Sequence, residues 1–342
     1  MSTFRKRFVS SSPSAVLPVA MSLADCRALV ADDMVRVDQL IRSRLSSEVA
    51  LIDQLGAYII GAGGKRLRPQ LVLFSAGMCG YQGDAHLATA AIIEFIHTST
   101  LLHDDVVDAS ELRRGNRTAN SVWGNEAAVL VGDFLYSRSF EMMVEVRSLE
   151  LMDVLAGTTN RIAEGEVMQL LNVHDPDITE ARYIEVIEAK TGRLFRAATE
   201  LGAVLAGRDR AWRDALADFG MHLGTAFQIA DDVLDYRSDS EAMGKNVGDD
   251  LAEGKTTLPL IYAMRDGTPE QRACVAAAIR EGGLEALDEV LEAIRATDAL
   301  ERSMQRASES AAAAIAALAP LPRSTWRDAL ETIARYSVER GH

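Results

Sequence analysis

Proline placement constrains this chain more than any other feature. None falls between Pro69 and Pro176, and none between Pro176 and Pro259. Proline inside a helix removes a hydrogen bond and clashes with the preceding turn, so its absence leaves long helices free to run. Those stretches are filled with Ala, Leu, Glu, Met and Arg, all good helix formers. Apolar residues recur at i, i+3 and i+4, and strand-like alternation is hard to find. The expected fold class is all-α, with residues 21–342 as a single domain, no linker to split it and no short-period repeat.

Turn signals divide the helices. MSLADCRALV reads as a helix with Ser22 as N-cap, and Met21 before it is an alternative start. GYQGD (80–84) ends one helix and offers Asp84 as N-cap of the next. That helix continues through AHLATAAIIEFIHTSTLLHDDVVD, about 24 residues or roughly 36 Å. NVHDPDITEARY is another break, with Asp177 and Glu180 at capping-box spacing. A further apolar stretch, WRDALADFGMHLGTAFQIADDVLD, ends in clustered acids as the first one does. EGGLEALDEVLEAIRATDALERS reads as a solvated helical face without chemistry.

The formal net charge of -14 argues against a nucleic-acid binder, which would carry a basic stripe. Cys26, Cys79 and Cys274 lie far apart, which suits reduced thiols in a cytoplasmic protein better than disulfides or zinc. No apolar run approaches the roughly 20 residues of a membrane span, so no anchor is expected. Residues 1–20 lack acids and are rich in Ser and Arg; they read as a disordered arm, with a transit peptide as the other reading.

The acids carry the chemistry. DDVVD at 104–108 recurs as DDVLD at 231–235. Residues three and four apart share a helix face, so Asp104 and Asp108 project together with Asp105 close by. Asp231, Asp232 and Asp235 repeat the arrangement. Each set ends a helix, where negative charge opposes the macrodipole, and one alone would read as a solvated helix end. Two with the same spacing suit Mg²⁺, which takes one or two carboxylates while substrate phosphates fill other positions. Basic groups flank both sets: Lys65, Arg66 and Arg68 in GGKRLRP, Arg113 and Arg114 in ELRRGNR, Lys190 and Thr191 in AKTG, and Lys245 and Lys255 in MGKNVGDDLAEGKTT. Arg offers bidentate phosphate recognition and Lys a mobile point charge, so the set favours a site for two anions.

Together, GGKRLRP, FIHTSTLLHDDVVD with its following RRG, GEVMQL, AKTG, and FQIADDVLD with GKNVGDDLAEGKTT resemble the trans-prenyl diphosphate synthase family, nearest its long-chain, octaprenyl type. The match covers nearly the whole chain from about residue 45 onward. The resemblance implies the isoprenoid synthase fold: an all-α bundle around a deep central cavity, with both acid motifs at its mouth. It implies a cytoplasmic prenyltransferase, homodimeric in the family's usual way, that joins isopentenyl diphosphate to an allylic diphosphate such as farnesyl diphosphate for quinone side chains. Two or three Mg²⁺ ions would be held by Asp104, Asp105, Asp108, Asp231, Asp232 and Asp235. Lys65, Arg68, His97 and Arg114 correspond to the isopentenyl diphosphate pocket. Arg113, Lys190, Thr191, Gln228, Lys245 and Lys255 correspond to contacts with the allylic diphosphate. Peripheral membrane association would come through the product alone. The leaving diphosphate serves the family as base, so no protein base is required.

Ser99 and Thr100 stand about one turn before Asp104, where relatives with shorter products carry an aromatic that blocks the cavity. With Ile96 a further turn away, and Phe140, Met142 and Met143 as candidate deep wall, the resemblance implies a long product. Shorter, geranylgeranyl or farnesyl, products and a non-catalytic subunit of a heteromeric synthase are the alternatives. Other readings fit less well. GDDLAEGKTT has Asp249 where a phosphate-binding loop needs Gly. Glu94 and His97 form one E-x-x-H step where a di-iron bundle needs two. A class I terpene cyclase shares the first acid motif but generally not a second of this type, and it needs no isopentenyl diphosphate pocket.

Overall fold

The structure, a computed structural model, describes residues 21–61, 64–113, 115–237 and 247–339. The arm expected over 1–20 lies outside the described residues. The chain opens with α1 (Leu23–Leu29), α2 (Ala31–Leu45) and α3 (Ala50–Gly61), then α4 (Leu67–Met78) and α5 (Ala85–Val107). A two-residue hairpin, β1 (Leu112–Arg113) with β2 (Asn116–Arg117), leads to α6 (Ala119–Trp123), α7 (Asn125–Val146) and α8 (Leu149–Asn172). Next come α9 (Glu180–Ile187), a π-helical turn (Glu188–Gly192), α10 (Arg193–Leu205) and α11 (Arg210–Asp235). The last part holds α12 (Asp249–Ala252), α13 (Leu258–Asp266), α14 (Pro269–Glu281), α15 (Leu287–Ala296), α16 (Ala299–Ala317) and α17 (Thr325–Glu339). The fold is all-α, as the proline pattern predicts.

Capping explains where several helices begin. Ser22 Oγ accepts from Asp25 N at 3.2 Å and the Asp25 carboxylate accepts from Ser22 N at 3.0 Å, a complete capping box for α1. Asp84 precedes α5 but makes no side-chain cap; its carboxylate accepts from Arg36 at 2.7 Å instead. The Asp177–Glu180 box does not form either. Thr179 caps α9 through Arg182 N at 3.2 Å, because it is the residue directly before the first helical position. α15 also departs from expectation. Its charged residues cover an outer face, while Val290, Ala293 and Ile294 are buried at i, i+3 and i+4.

The larger core forms where α5 packs against α2, α4 and α7, and where α10 packs against α4, α8 and α11. Phe74, Ile92, Ile93, Phe95, Phe195 and Phe219 are fully buried there. By length and composition α5 is apolar enough to cross a membrane, contrary to the expectation that no run would be. In the fold most of its apolar window is buried against protein. A second core, with Ile229, Tyr236, Leu260, Val275 and Val290, joins α13–α16 to the end of α11.

The π-helical turn shapes the site. Such wide turns re-aim side chains and occur often at functional sites. Neighbouring helices make room for it with glycines: a Cβ at Gly165 on α8 would stand 2.8 Å from Lys190 N, and one at Gly224 on α11 would stand 2.8 Å from Gly192 Cα. Lys190 and Thr191 are thereby held between α8 and α11.

Candidate active site

The last turn of α5 is surrounded by cations from three other parts of the chain. Lys190 Nζ lies 3.2 Å from Asp104 Oδ2 and 2.7 Å from Glu166 Oε2 on α8. Lys255, from the loop after α12, reaches Asp108 Oδ2 at 2.8 Å and also pairs with Glu253. Arg113 of β1 donates to Asp105 Oδ1 from Nε at 2.8 Å and from Nη2 at 2.6 Å. Asp105 is buried, and burial raises its pKa against the opposing pull of Arg113. Burial likewise raises Glu166; Lys190 opposes that rise and Asp104 adds to it. Burial pulls Lys190 down, but Asp104 and Glu166 outweigh it and its pKa stands above the ordinary value.

The end of α11 has the same acids in different company. Asp232 is buried and accepts from Tyr183 OH at 2.6 Å and from Gln228 Nε2 at 2.8 Å. Gln228 Oε1 accepts in turn from Thr191 Oγ1 at 2.9 Å, so a relay of hydrogen bonds runs from the π turn to the acid. Burial and the nearby charge of Asp250 push the Asp232 carboxyl well above its usual range. Asp235 is also buried, and its Oδ2 accepts from Asp250 N at 3.1 Å, tying α12 to α11. Asp231 is half-buried. A cavity of about 130 Å³ opens beside Asp232, lined also by Tyr183, Lys190, Thr191, Gln228, Asp250 and Lys255.

A second cationic group sits farther along α5. Arg68 Nη1 donates to His97 Nε2 at 3.0 Å, and the Arg68 guanidinium stacks 4.5 Å from the Phe195 ring centre. Because arginine only donates, this bond leaves the ring proton of His97 on Nδ1. His97 precedes Asp104 by seven residues, two turns or roughly 10 Å along the same helix face. Lys65 is exposed at the entrance to α4. Glu94 pairs with Arg66 and His97 with Arg68, an arrangement unlike a di-iron carboxylate site. Arg114 and Lys245 lie outside the described residues.

The family model for polyprenyl synthetase matches residues 49–297. The chain belongs to the polyprenyl synthetase family. The synthase is 53% identical over 321 residues to the octaprenyl diphosphate synthase of Escherichia coli K12, covering 94% of this chain and 99% of that one. It is 47% identical to an all-trans-nonaprenyl-diphosphate synthase (geranyl-diphosphate specific) of Rhodobacter capsulatus, over 92% of this chain and 97% of that one. Its fold matches a polyprenyl synthase of Caulobacter crescentus CB15, complexed with calcium and isoprenyl diphosphate, with a TM-score of 0.91 and 45% identity. That match covers 95% of this chain and 100% of the other. It is a prenyltransferase of the long-chain trans type.

The residues singled out for product length line up along two helices of the synthase. Ser99 is buried and its Oγ donates to Gly132 O of α7 at 2.8 Å; Thr100 is half-buried. Ile96 is fully buried, as are Met142 and Met143 on α7. Phe140 and Met143 also border a groove of about 540 Å³ with Leu149, Met152 and Ala156 of α8. Four residues that touch the site had been assigned no role: Glu166, Tyr183, Asp250 and Glu253. GDDLAEGKTT places Asp250 and Glu253 beside Lys255, and acids beside a basic group were the signal there; Glu166 in GEVMQL has no basic neighbour in sequence. Tyr183 carried none, because a tyrosine in an apolar helix reads as core.

Proposed function

We propose that this site joins isopentenyl diphosphate repeatedly to an allylic diphosphate such as farnesyl diphosphate, making an all-trans chain of octaprenyl length. The observation that carries the reading is the crossing of charges: Lys190 and Lys255, from separate segments, both reach the acids that end α5. Lysines held this way are mobile point charges that can be shared with a diphosphate arriving between the two helix ends. The identities with octaprenyl and nonaprenyl synthases support the length.

The donor set fits Mg²⁺. It is composed of carboxylate oxygens, the ligand type this hard cation prefers. Such an ion would take one or two carboxylates and complete its shell with substrate phosphates. Asp104, Asp105, Asp108, Asp231, Asp232 and Asp235 would hold two or three ions, which as Lewis acids supply charge stabilisation for the departing diphosphate. Lys190, Lys255 and Arg113 would hold the allylic diphosphate and take up the charge that develops on it, with Lys245 and Thr191 joining them. Gln228 orients both Thr191 and Asp232. Lys65, Arg68, His97 and Arg114 would hold isopentenyl diphosphate about two helical turns away, with its double bond toward the allylic carbon. The apolar flank of α5, from Thr100 and Ser99 to Ile96, would accept the growing chain against α7, with Phe140, Met142 and Met143 beyond. Proton loss to the leaving diphosphate completes each cycle.

The rest of the reading concerns assembly and setting. Residues 21–342 act as one domain. The protein forms a homodimer, supported by the outward stripe of Val129, Leu130, Tyr136 and Val144 on α7. It works in the cytoplasm, reaches membranes through its product, and serves quinone side chains. Incubation with isopentenyl diphosphate, farnesyl diphosphate and Mg²⁺, followed by sizing of the dephosphorylated product, tests the central reading. Octaprenyl chains are expected; no elongation would overturn it.

A further inference from the structure

The three cations of GKRLRP (64–69) are used in three different ways. Lys65 is exposed, and Arg68 turns to His97 and Phe195. Arg66 turns back into the protein. Its Nη1 pairs with Glu94 Oε1, and its Nε lies 3.7 Å from Asp38 Oδ1 on α2. Glu94 is only 7% exposed, and removing one member of such a buried pair leaves the other uncompensated. Arg66 also holds a left-handed backbone, φ 46° and ψ 35°, directly before α4. L residues rarely adopt that conformation, and glycine would adopt it freely.

Position matters as much as charge. Glu94 and His97 are three residues apart on α5 and so share a face, one above the other. Arg66 and Arg68 leave the start of α4 two residues apart and meet them as two adjacent rungs. Gln70 fastens the same turn from within α4, donating from Nε2 to Lys65 O at 2.8 Å. The inner rung and the Gln70 bond therefore anchor the backbone from which Lys65 and Arg68 extend.

We infer that Arg66 and Glu94 form a positioning pair that sets the geometry of Lys65, Arg68 and His97 for the diphosphate of the non-allylic substrate. The inference rests on the assignment of those three residues to isopentenyl diphosphate in the reading above. Arg66 is turned to Glu94 and Asp38, so cutting the pair acts through the residues it aligns.

Steady-state kinetics of the full chain with Mg²⁺, varying each substrate in turn, tests this in Glu94→Gln, Arg66→Gly and Arg66→Lys, with Arg68→Ala as control. Glu94→Gln and Arg66→Gly should each raise KM for isopentenyl diphosphate about tenfold, the scale of one charge-assisted hydrogen bond, with little change in KM for farnesyl diphosphate. Arg66→Lys should recover part of what Arg66→Gly loses. Arg66→Gly relaxes the backbone while removing the guanidinium, so it carries the test even if Glu94→Gln fails to fold. Native KM for isopentenyl diphosphate in Arg66→Gly, or equal changes for both substrates, overturns the inference while Arg68→Ala still weakens isopentenyl diphosphate. An Arg68→Ala enzyme with native KM would instead overturn the pocket assignment itself.

Discussion

The ends of α5 and α11 carry nearly the same five residues, DDVVD and DDVLD, yet they are built into opposite surroundings. Asp104, Asp105 and Asp108 face Lys190, Arg113 and Lys255, all long cationic side chains from other segments. Asp232 and Asp235 face a phenol, an amide and a backbone N–H. The first set can exchange protein cations for metal and substrate. Among the described residues, Asp232 and Asp235 of the second are held by short, neutral donors. The apolar flanks differ as well: four residues before Asp104 stands Thr100, whereas four before Asp231 stands Phe227, whose ring packs 5.4 Å from Phe195. One helix carries a small side chain at this position and the other a ring. Equal motifs thus divide the work, and substitutions can test that division.

The largest effect is expected at the exchangeable set. Asp104→Ala should lower kcat by roughly 10²–10³ or more, as loss of a group that stabilises developing charge does, and should leave Lys190 with Glu166 alone. Product formation in a single-turnover assay measures it; near-native turnover would mean that α5 does not hold the charged centre. Lys255→Ala comes next. It removes a hydrogen-bonded cation from Asp108, and KM for the allylic diphosphate should rise by about one to two orders of magnitude.

Thr100→Phe makes the flank of α5 resemble that of α11, and Ser99→Phe fills the contact with Gly132. Both should shorten the product by one or more isoprene units, read by chromatography. An unchanged length for both would sever chain length from this flank.

The smallest effect concerns stability at the fixed set. Asp232 binds its proton more tightly in the folded protein than in the unfolded chain, chiefly because it is buried. Its ionisation therefore costs stability as pH rises above the ordinary carboxylate range. In chelator at pH 8, Asp232→Asn should be more stable by about 1 kcal/mol, a thermal midpoint a few degrees higher. The gain should fade toward pH 4, where the unfolded carboxyl also holds its proton. A destabilised variant at pH 8 would show that Tyr183 and Gln228 fully satisfy the charge.

Much of this was legible along the chain. Helix class followed from proline spacing and apolar periodicity, and both acid sets were visible with most of the basic groups that face them. The errors cluster where a nearby alternative won. Thr179 displaced Asp177 as a cap because it stands directly before the first helical residue. Asp84 served Arg36 and not its own helix. α15 looked solvated because its charges outnumber the three residues it buries.

By itself the sequence determined which segments are helical, that two of them end in acids, and that cations flank those acids, because these properties depend on residues near one another in the chain. Only the tertiary structure decided which cation meets which acid. Asp108 meets Lys255 from 147 positions away, and Lys190 reaches Asp104 from a π turn for which two neighbouring helices provide glycines. Charge attraction falls off with distance and is weakened by water, so partnership is settled where packing brings side chains into contact and excludes solvent.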